Sequence, residues 1–151
     1  MDNKDQIKTA NIKLKKLRAS AAVPVYGTDF SAGADLVAAV DEPVRIKPGE
    51  TLAIGTGIAL EIPTGLTGLV FGRSGLASKR DLAPANKVGV IDSDYRGEIT
   101  VCFYTFGNPP YKPGERIAQL LFVPAPEIVM EEALELSETE RGAGGYGSTG
   151  A

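Results

Sequence analysis

Glycine and proline interrupt this chain often enough to favour short strands over long helices. Eighteen Gly and ten Pro are spread through 151 residues, and both are strong punctuators of local structure. The apolar stretches between them have strand length: Val44 to Ile46, Leu66 to Phe71, Val88 to Ile91 and Arg116 to Val123. Ile12 to Leu17 alternates apolar residues with lysine, as a half-exposed strand does. Thr51 to Glu61 reads as a strand broken by Gly55 and Gly57, and Val129 to Leu136 as a last strand or a helix. Pro-Gly at the centre of a type II turn explains why Lys-Pro-Gly-Glu occurs twice, at Lys47–Glu50 and Lys112–Glu115. Pro63-Thr64-Gly65 marks another turn, and Ala19 to Ser31 reads as irregular. The length suits a single domain over 1–151, with 1–10 loose and 141–151 a Gly-rich flexible segment.

Composition then removes several function classes. A formal net charge of −3 argues against a broad nucleic-acid surface, though not against a small anion held by a few arginines. Cys102 is the single thiol, so no intrachain disulfide forms. With no His, a His-based triad and the common zinc sites are excluded, and any catalytic base has to be something else, a carboxylate first. The N-terminus lacks a signal-peptide layout, and no apolar run reaches the roughly 20 residues that span a bilayer. A cytoplasmic location is therefore expected.

Five stretches carry potential chemistry. Gly89 to Glu98 reads as a strand, a tight turn at Tyr95-Arg96-Gly97, and a strand returning to Tyr104. Asp92 and Asp94 share a face in extended geometry, and Tyr95 points the other way. The pair either caps the turn or activates water or binds a cation beside a flat ligand. A calcium loop fails, because Arg96 and Phe103 would occupy ligand positions. In Gly72 to Lys79, Ser74 suits a helix N-cap, and a helix start beside Arg73 can receive an anion. Asp35, after the small residues Gly33 and Ala34, reads on its own as the end of a turn. Gln119 shares a row with Ile117 and Leu121, where an amide requires a partner from backbone or ligand. The segment from Arg141 combines glycines with an Arg, an aromatic ring and a Ser-Thr pair, which suits a nucleotide if it is more than a linker.

Together these stretches resemble the five ordered motifs of the homotrimeric dUTPase (dUTP pyrophosphatase) family. They are Ala32-Gly-Ala-Asp-Leu36, Gly72-Arg-Ser-Gly-Leu-Ala77, Gly89 to Gly97, Gly114-Glu-Arg-Ile-Ala-Gln-Leu120 and Arg141 to Gly150. The resemblance implies an all-β fold of the β-clip type: a distorted antiparallel jelly-roll barrel with one short helix. It also implies a homotrimer with sites at subunit interfaces. The implied reaction converts dUTP and water to dUMP and pyrophosphate with Mg2+ carried on the triphosphate, limiting uracil in DNA and supplying dUMP for thymidylate synthesis. By the same resemblance Asp92 is the general base. Tyr95 lies under the deoxyribose, and Asn86 contacts uracil with help from the backbone at Val90 and Ile91. Arg73, Ser74, Gly75 and Gln119 hold phosphate oxygens or metal-bound water, and Asp35 acts indirectly near them. Arg141, Gly147, Ser148 and Thr149 clamp phosphates as the tail closes, with Tyr146 stacked on the base.

Two positions depart from the family pattern. Gly72 stands where Pro is usual and is expected to loosen the approach to the phosphates, and Tyr146 stands where Phe is usual. Two rivals share the fold: a dCTP deaminase and a non-catalytic binding or regulatory protein. The deaminases usually have a second Ser where this chain has Gly75, and they lack the Asp-x-Asp-Tyr stretch. A regulatory relative would be expected to lack the base or the tail, and this chain has both.

Overall fold

The computed structural model describes residues 10–105, 107 and 110–145. Twelve strands, all paired antiparallel, and one helix make up the described fold. The strands are β1 (Lys13–Lys16), β2 (Val25–Tyr26), β3 (Ala34–Val37), β4 (Val44–Arg45), β5 (Thr51–Gly55), β6 (Ile58–Glu61) and β7 (Leu66–Phe71). Helix α1 (Ser74–Arg80) leads into β8 (Leu82–Pro84), β9 (Val88–Ile91), β10 (Thr100–Thr105), β11 (Pro110–Tyr111) and β12 (Arg116–Pro124). The largest sheet runs β2-β3-β12-β7-β9; a second runs β5-β10-β8, and β1-β6 and β4-β11 form ribbons.

The short strands follow from the turns that end them. Gly49, Gly65 and Gly114 have φ of +79°, +88° and +71°, a region costly for residues with a Cβ. The Glu50 and Glu115 N–H groups donate back to Lys47 and Lys112 carbonyls at 3.0 and 3.1 Å, closing both Lys-Pro-Gly-Glu turns. Between the sheets lies a core of Leu36, Ile46, Ile54, Ile58, Leu82, Ile99, Phe103, Tyr111, Ile117 and Leu120, each at most 1% exposed. Apolar burial on this scale drives the fold at roughly 25 cal/mol per Å². Burial also pushes the Tyr111 phenol far above its ordinary pKa, with Arg80 beside it opposing and Glu115 reinforcing the shift.

Several expectations need correction. Asp35 does not end a turn; it sits inside β3, between β2 and β12, and is 8% exposed. Val25–Tyr26 is a strand within the stretch read as irregular. The strand on each side of Asp92–Gly97 is real, but they do not pair as a hairpin. β9 pairs with β7, whereas β10 pairs with β5 and β8, so residues 92–99 cross between sheets. Residues 126–140 form neither strand nor helix: Ile128, Val129, Met130, Leu134 and Leu136 are 69–105% exposed. The segment 1–9 lies outside the described residues. No helix among those described is long and apolar enough to cross a membrane.

Candidate functional site

Register across three strands builds the first half of the site. Gln119 of β12 is paired with Asp35 of β3 on one side and Phe71 of β7 on the other. The chain leaves β7 through Gly72 and Arg73, so the Arg73-Ser74-Gly75 segment starts beside that row. Asp35 engages both carboxylate oxygens: Oδ1 forms an ion pair with Arg73 Nε at 3.1 Å, and Oδ2 accepts a hydrogen bond from Arg116 Nη1 at 3.2 Å. One carboxylate against two guanidiniums leaves a net positive concavity, lined by Asp35, Arg73, Ser74, Gly75, Arg116 and Gln119. Such a surface attracts polyanions and orients phosphate oxygens through planar guanidinium donors.

Ser74 does not cap α1. Arg73 is the N-cap, in extended geometry (φ −104°, ψ 135°), and no side chain caps the helix. Ser74 is the first helical residue and is exposed to the concavity. The Gln119 amide finds a backbone partner: Nε2 donates to the Gly72 carbonyl at 3.0 Å. A bulge between Arg116 and Ala118 breaks the expected row, so Gln119 and Leu121 line the concavity while Ile117 is fully buried. Gly33 leaves the amide its space, since a Cβ there would lie 3.0 Å from Gln119 Oε1. Gly72 is tied down more firmly than its composition implies. Its carbonyl accepts from Gln119, and a Cβ would meet Pro84 at 2.8 Å.

The second half lies elsewhere on the chain. Asp92 follows the last residue of β9, where the Thr67 hydroxyl donates to the Ile91 carbonyl at 2.8 Å. Val90 is 62% exposed, and with Asp92 and Asp94 it lines a different concavity. Ile91 is half-buried under β7. Asn86 is exposed in the β8–β9 turn, with Lys87 at φ 66°. Tyr95 donates its N–H to the Asp92 carbonyl at 3.2 Å and its hydroxyl to the Glu98 carbonyl at 3.1 Å. Gly97 serves a close approach, not turn flexibility: its φ is not positive, and a Cβ would overlap the Tyr95 ring.

Within one chain, no described residue is shared by the two concavities. Arg141 joins neither; it is exposed and Nε donates to the Gly144 carbonyl at 2.9 Å. Tyr146, Gly147, Ser148 and Thr149 lie outside the described residues. Sequence reading missed Arg116, although it stands inside the Gly114–Leu120 motif, and Thr67, for which nothing local signals a role. No cluster of three His, Cys, Asp or Glu able to hold a metal occurs among the described residues.

An antiparallel β fold with arginines, a serine and an amide converging on one concavity is a binder of phosphorylated ligands. Known proteins narrow that class. The dUTPase family model matches residues 19–150. A deoxyuridine 5'-triphosphate nucleotidohydrolase of Wolbachia pipientis subsp. Culex pipiens is 47% identical over 97% of this chain and 98% of its own length. One from Desulfitobacterium hafniense is 47% identical over 98% of both. Among solved structures, a Staphylococcus bacteriophage 80alpha dUTPase with dUpNHpp superimposes with a TM-score of 0.85 at 30% identity, over 95% of this chain and all of that one. The chain belongs to the dUTPase family.

Proposed function

We infer that the protein hydrolyses dUTP to dUMP and pyrophosphate, and that it does so as a homotrimer with sites shared between subunits. The observation carrying this reading is the split between a cationic phosphate-type concavity and a separate one lined by Asp92 and Asp94, in a chain whose full-length relatives are dUTP nucleotidohydrolases. Among the described residues neither half suffices: the first has no carboxylate free of guanidiniums, and the second has no arginine in its lining. The apolar residues of 126–140, exposed in a lone chain, are consistent with an arm that crosses to a neighbouring copy.

In this mechanism Asp92 takes a proton from water as its oxygen attacks the α-phosphorus. The bond from that phosphorus to the bridging oxygen breaks, and pyrophosphate leaves. Arg73, Ser74 and Gly75 hold phosphate oxygens, and Arg116 and Asp35 keep Arg73 aimed. Charge neutralisation and in-line positioning supply most of the acceleration in such reactions. Tyr95 lies beneath the deoxyribose, where a 2′-hydroxyl would collide with its ring. Asn86 and the backbone at Val90 and Ile91 read uracil. A base with the wrong donor pattern leaves those groups unpaired, which can cost on the order of 10⁴-fold.

Both Asp35 oxygens already serve guanidiniums, so Asp35 would not ligate Mg2+; carried on the triphosphate, the ion would supply further neutralisation of phosphate charge. The neutral oxygens of Ser74 and Gln119 suit an ion that keeps several waters. A solved dUTPase from phage phi11 of S. aureus is described with a structural Mg(II) ion. The residues from Arg141 onward, including Tyr146, Gly147, Ser148 and Thr149, close over the nucleotide as a lid. The protein acts in the cytoplasm, keeping uracil out of DNA and providing dUMP for thymidylate synthesis.

The test is a panel of nucleotides assayed for both pyrophosphate and ammonia. Pyrophosphate from dUTP alone is expected; ammonia from dCTP would move the chain to the deaminase reading, and no product to a binding role. Deleting 141–151 is expected to lower kcat/KM on the order of a thousandfold or more, the scale of a lost phosphate-directed arginine. Among the described residues, the hydrogen bonds of Arg141, Gly142 and Gly144 are local, so Tm should move by less than about 2 °C. A large fall in Tm would mark the tail as structural.

A further inference from the structure

We propose that Arg18 and Glu98 form a clasp that positions Tyr95 and thereby sets how strictly the enzyme separates deoxyribose from ribose; this rests on the sugar-facing reading of Tyr95. Tyr95 is 44% exposed and lies outside any strand. Its ring lies against Gly97, and among the described residues its hydroxyl is anchored on the Glu98 carbonyl alone. Where that carbonyl sits therefore determines where the ring sits.

The Glu98 carboxylate accepts three hydrogen bonds from two partners. Arg18 donates Nη1 to Oε1 at 2.6 Å and Nη2 to Oε2 at 2.7 Å, a bidentate fork. The Gly57 N–H adds a third bond to Oε1 at 2.8 Å. The next residue, Ile99, is fully buried, donates to the Ile58 carbonyl at 2.9 Å, and accepts the Thr56 hydroxyl at 2.6 Å. An exposed ion pair contributes little, and Arg18 is exposed; Glu98, however, is half-buried and shares Oε1 with the part-buried Gly57 N–H, so the bidentate fork fixes the direction of its carboxylate.

The break in strand pattern at Gly55-Thr56-Gly57 is the seat of this clasp. A Cβ on Gly55 would overlap Glu98 Oε1 and approach Arg18 Nη1 to 3.2 Å. Gly57 has φ +69°, and a Cβ there would lie 2.7 Å from that of Ala21. Removing the fork leaves the Glu98 carboxylate on a single N–H and loosens the Glu98 side of the peptide that Tyr95 uses, while the Ile99 N–H still ties its other side to Ile58. The ring can then tilt away and admit a 2′-hydroxyl.

The experiment measures kcat/KM for dUTP and for UTP in the full-length protein and in Arg18→Met, Arg18→Lys, Glu98→Gln, Tyr95→Ala and Arg18→Met/Tyr95→Ala, with Tm alongside. Arg18→Met should narrow the dUTP:UTP ratio about tenfold, the scale of a lost charge-assisted fork. The increase should come through UTP while kcat for dUTP is largely kept. Arg18→Lys and Glu98→Gln, which leave part of the network, should narrow it less and carry the test if Arg18→Met does not fold. The double variant should be no less selective than Tyr95→Ala alone, because both act through one ring. A control, Lys13→Met, removes the exposed Lys13–Glu61 pair on the same segment and should leave the ratio unchanged. An unchanged ratio in the Arg18 variants beside a narrowed one in Tyr95→Ala overturns the clasp alone, as would multiplying effects in the double variant. A wild-type ratio in Tyr95→Ala overturns the sugar-facing reading first.

Discussion

Asp92→Asn is expected to lower kcat for dUTP by about 10³-fold or more, within the range for loss of a positioned base, and to leave affinity for a non-hydrolysable analogue within a few-fold. The Asp92 carboxylate makes no hydrogen bond or ion pair among the described residues. What holds the residue is its backbone. Ile91 pairs with Gly68 and is capped by the Thr67 hydroxyl, and the Asp92 carbonyl accepts the Tyr95 N–H. Asn is nearly isosteric and keeps all of these contacts, so Tm should be unchanged. The loss would then reflect chemistry, not folding. Asp94→Asn is the internal comparison, since Asp94 is a turn residue lining the same concavity; it should stay within about tenfold of wild type, less than a base is worth. Pyrophosphate release and calorimetric titration measure the two quantities. Near-normal turnover in Asp92→Asn would remove Asp92 as the base.

What could be read from the chain, and what could not, divides by range. β7 falls where the apolar run Leu66–Phe71 puts it, and the Pro-Gly turns close as their residue chemistry requires. These are local effects. Asp35 read as a turn residue because Gly33 and Ala34 precede it; its true role depends on Arg116, 81 positions away in sequence. Likewise, strands that are neighbours in sequence commonly pair, and nothing in Asp92–Gly97 announces that β9 and β10 join different sheets. The apolar residues of 126–140 misled for a different reason. Periodicity signals burial, and a single chain leaves those residues bare. The candidate site residues stood out as motifs, and the resemblance implied sites shared between subunits; which of the two concavities each residue lines follows only from the fold.

Mixing two inactive variants should restore activity. A water held by Asp92 has to lie within about 3.5 Å of the phosphorus it attacks, while Arg73 and Ser74 hold the same triphosphate. Asp92 and Arg73 line different concavities of the chain, so in the proposed trimer each site takes its base from one subunit and its phosphate grip from another. Asp92→Asn and Arg73→Gln should each be nearly inactive as pure preparations. When the two are unfolded together in equal amounts and refolded, an interface is competent if the first subunit keeps Asp92 and the second keeps Arg73. Random assembly of a cyclic oligomer gives that combination at about one interface in four. Activity near a quarter of similarly refolded wild type is therefore expected, and none when the variants are mixed without subunit exchange. If each site lay within one chain, every chain in the mixture would still carry a lesion and refolding would recover nothing. A refolded mixture no more active than its components, with mixed oligomers verified by mass, would place the whole site in a single subunit.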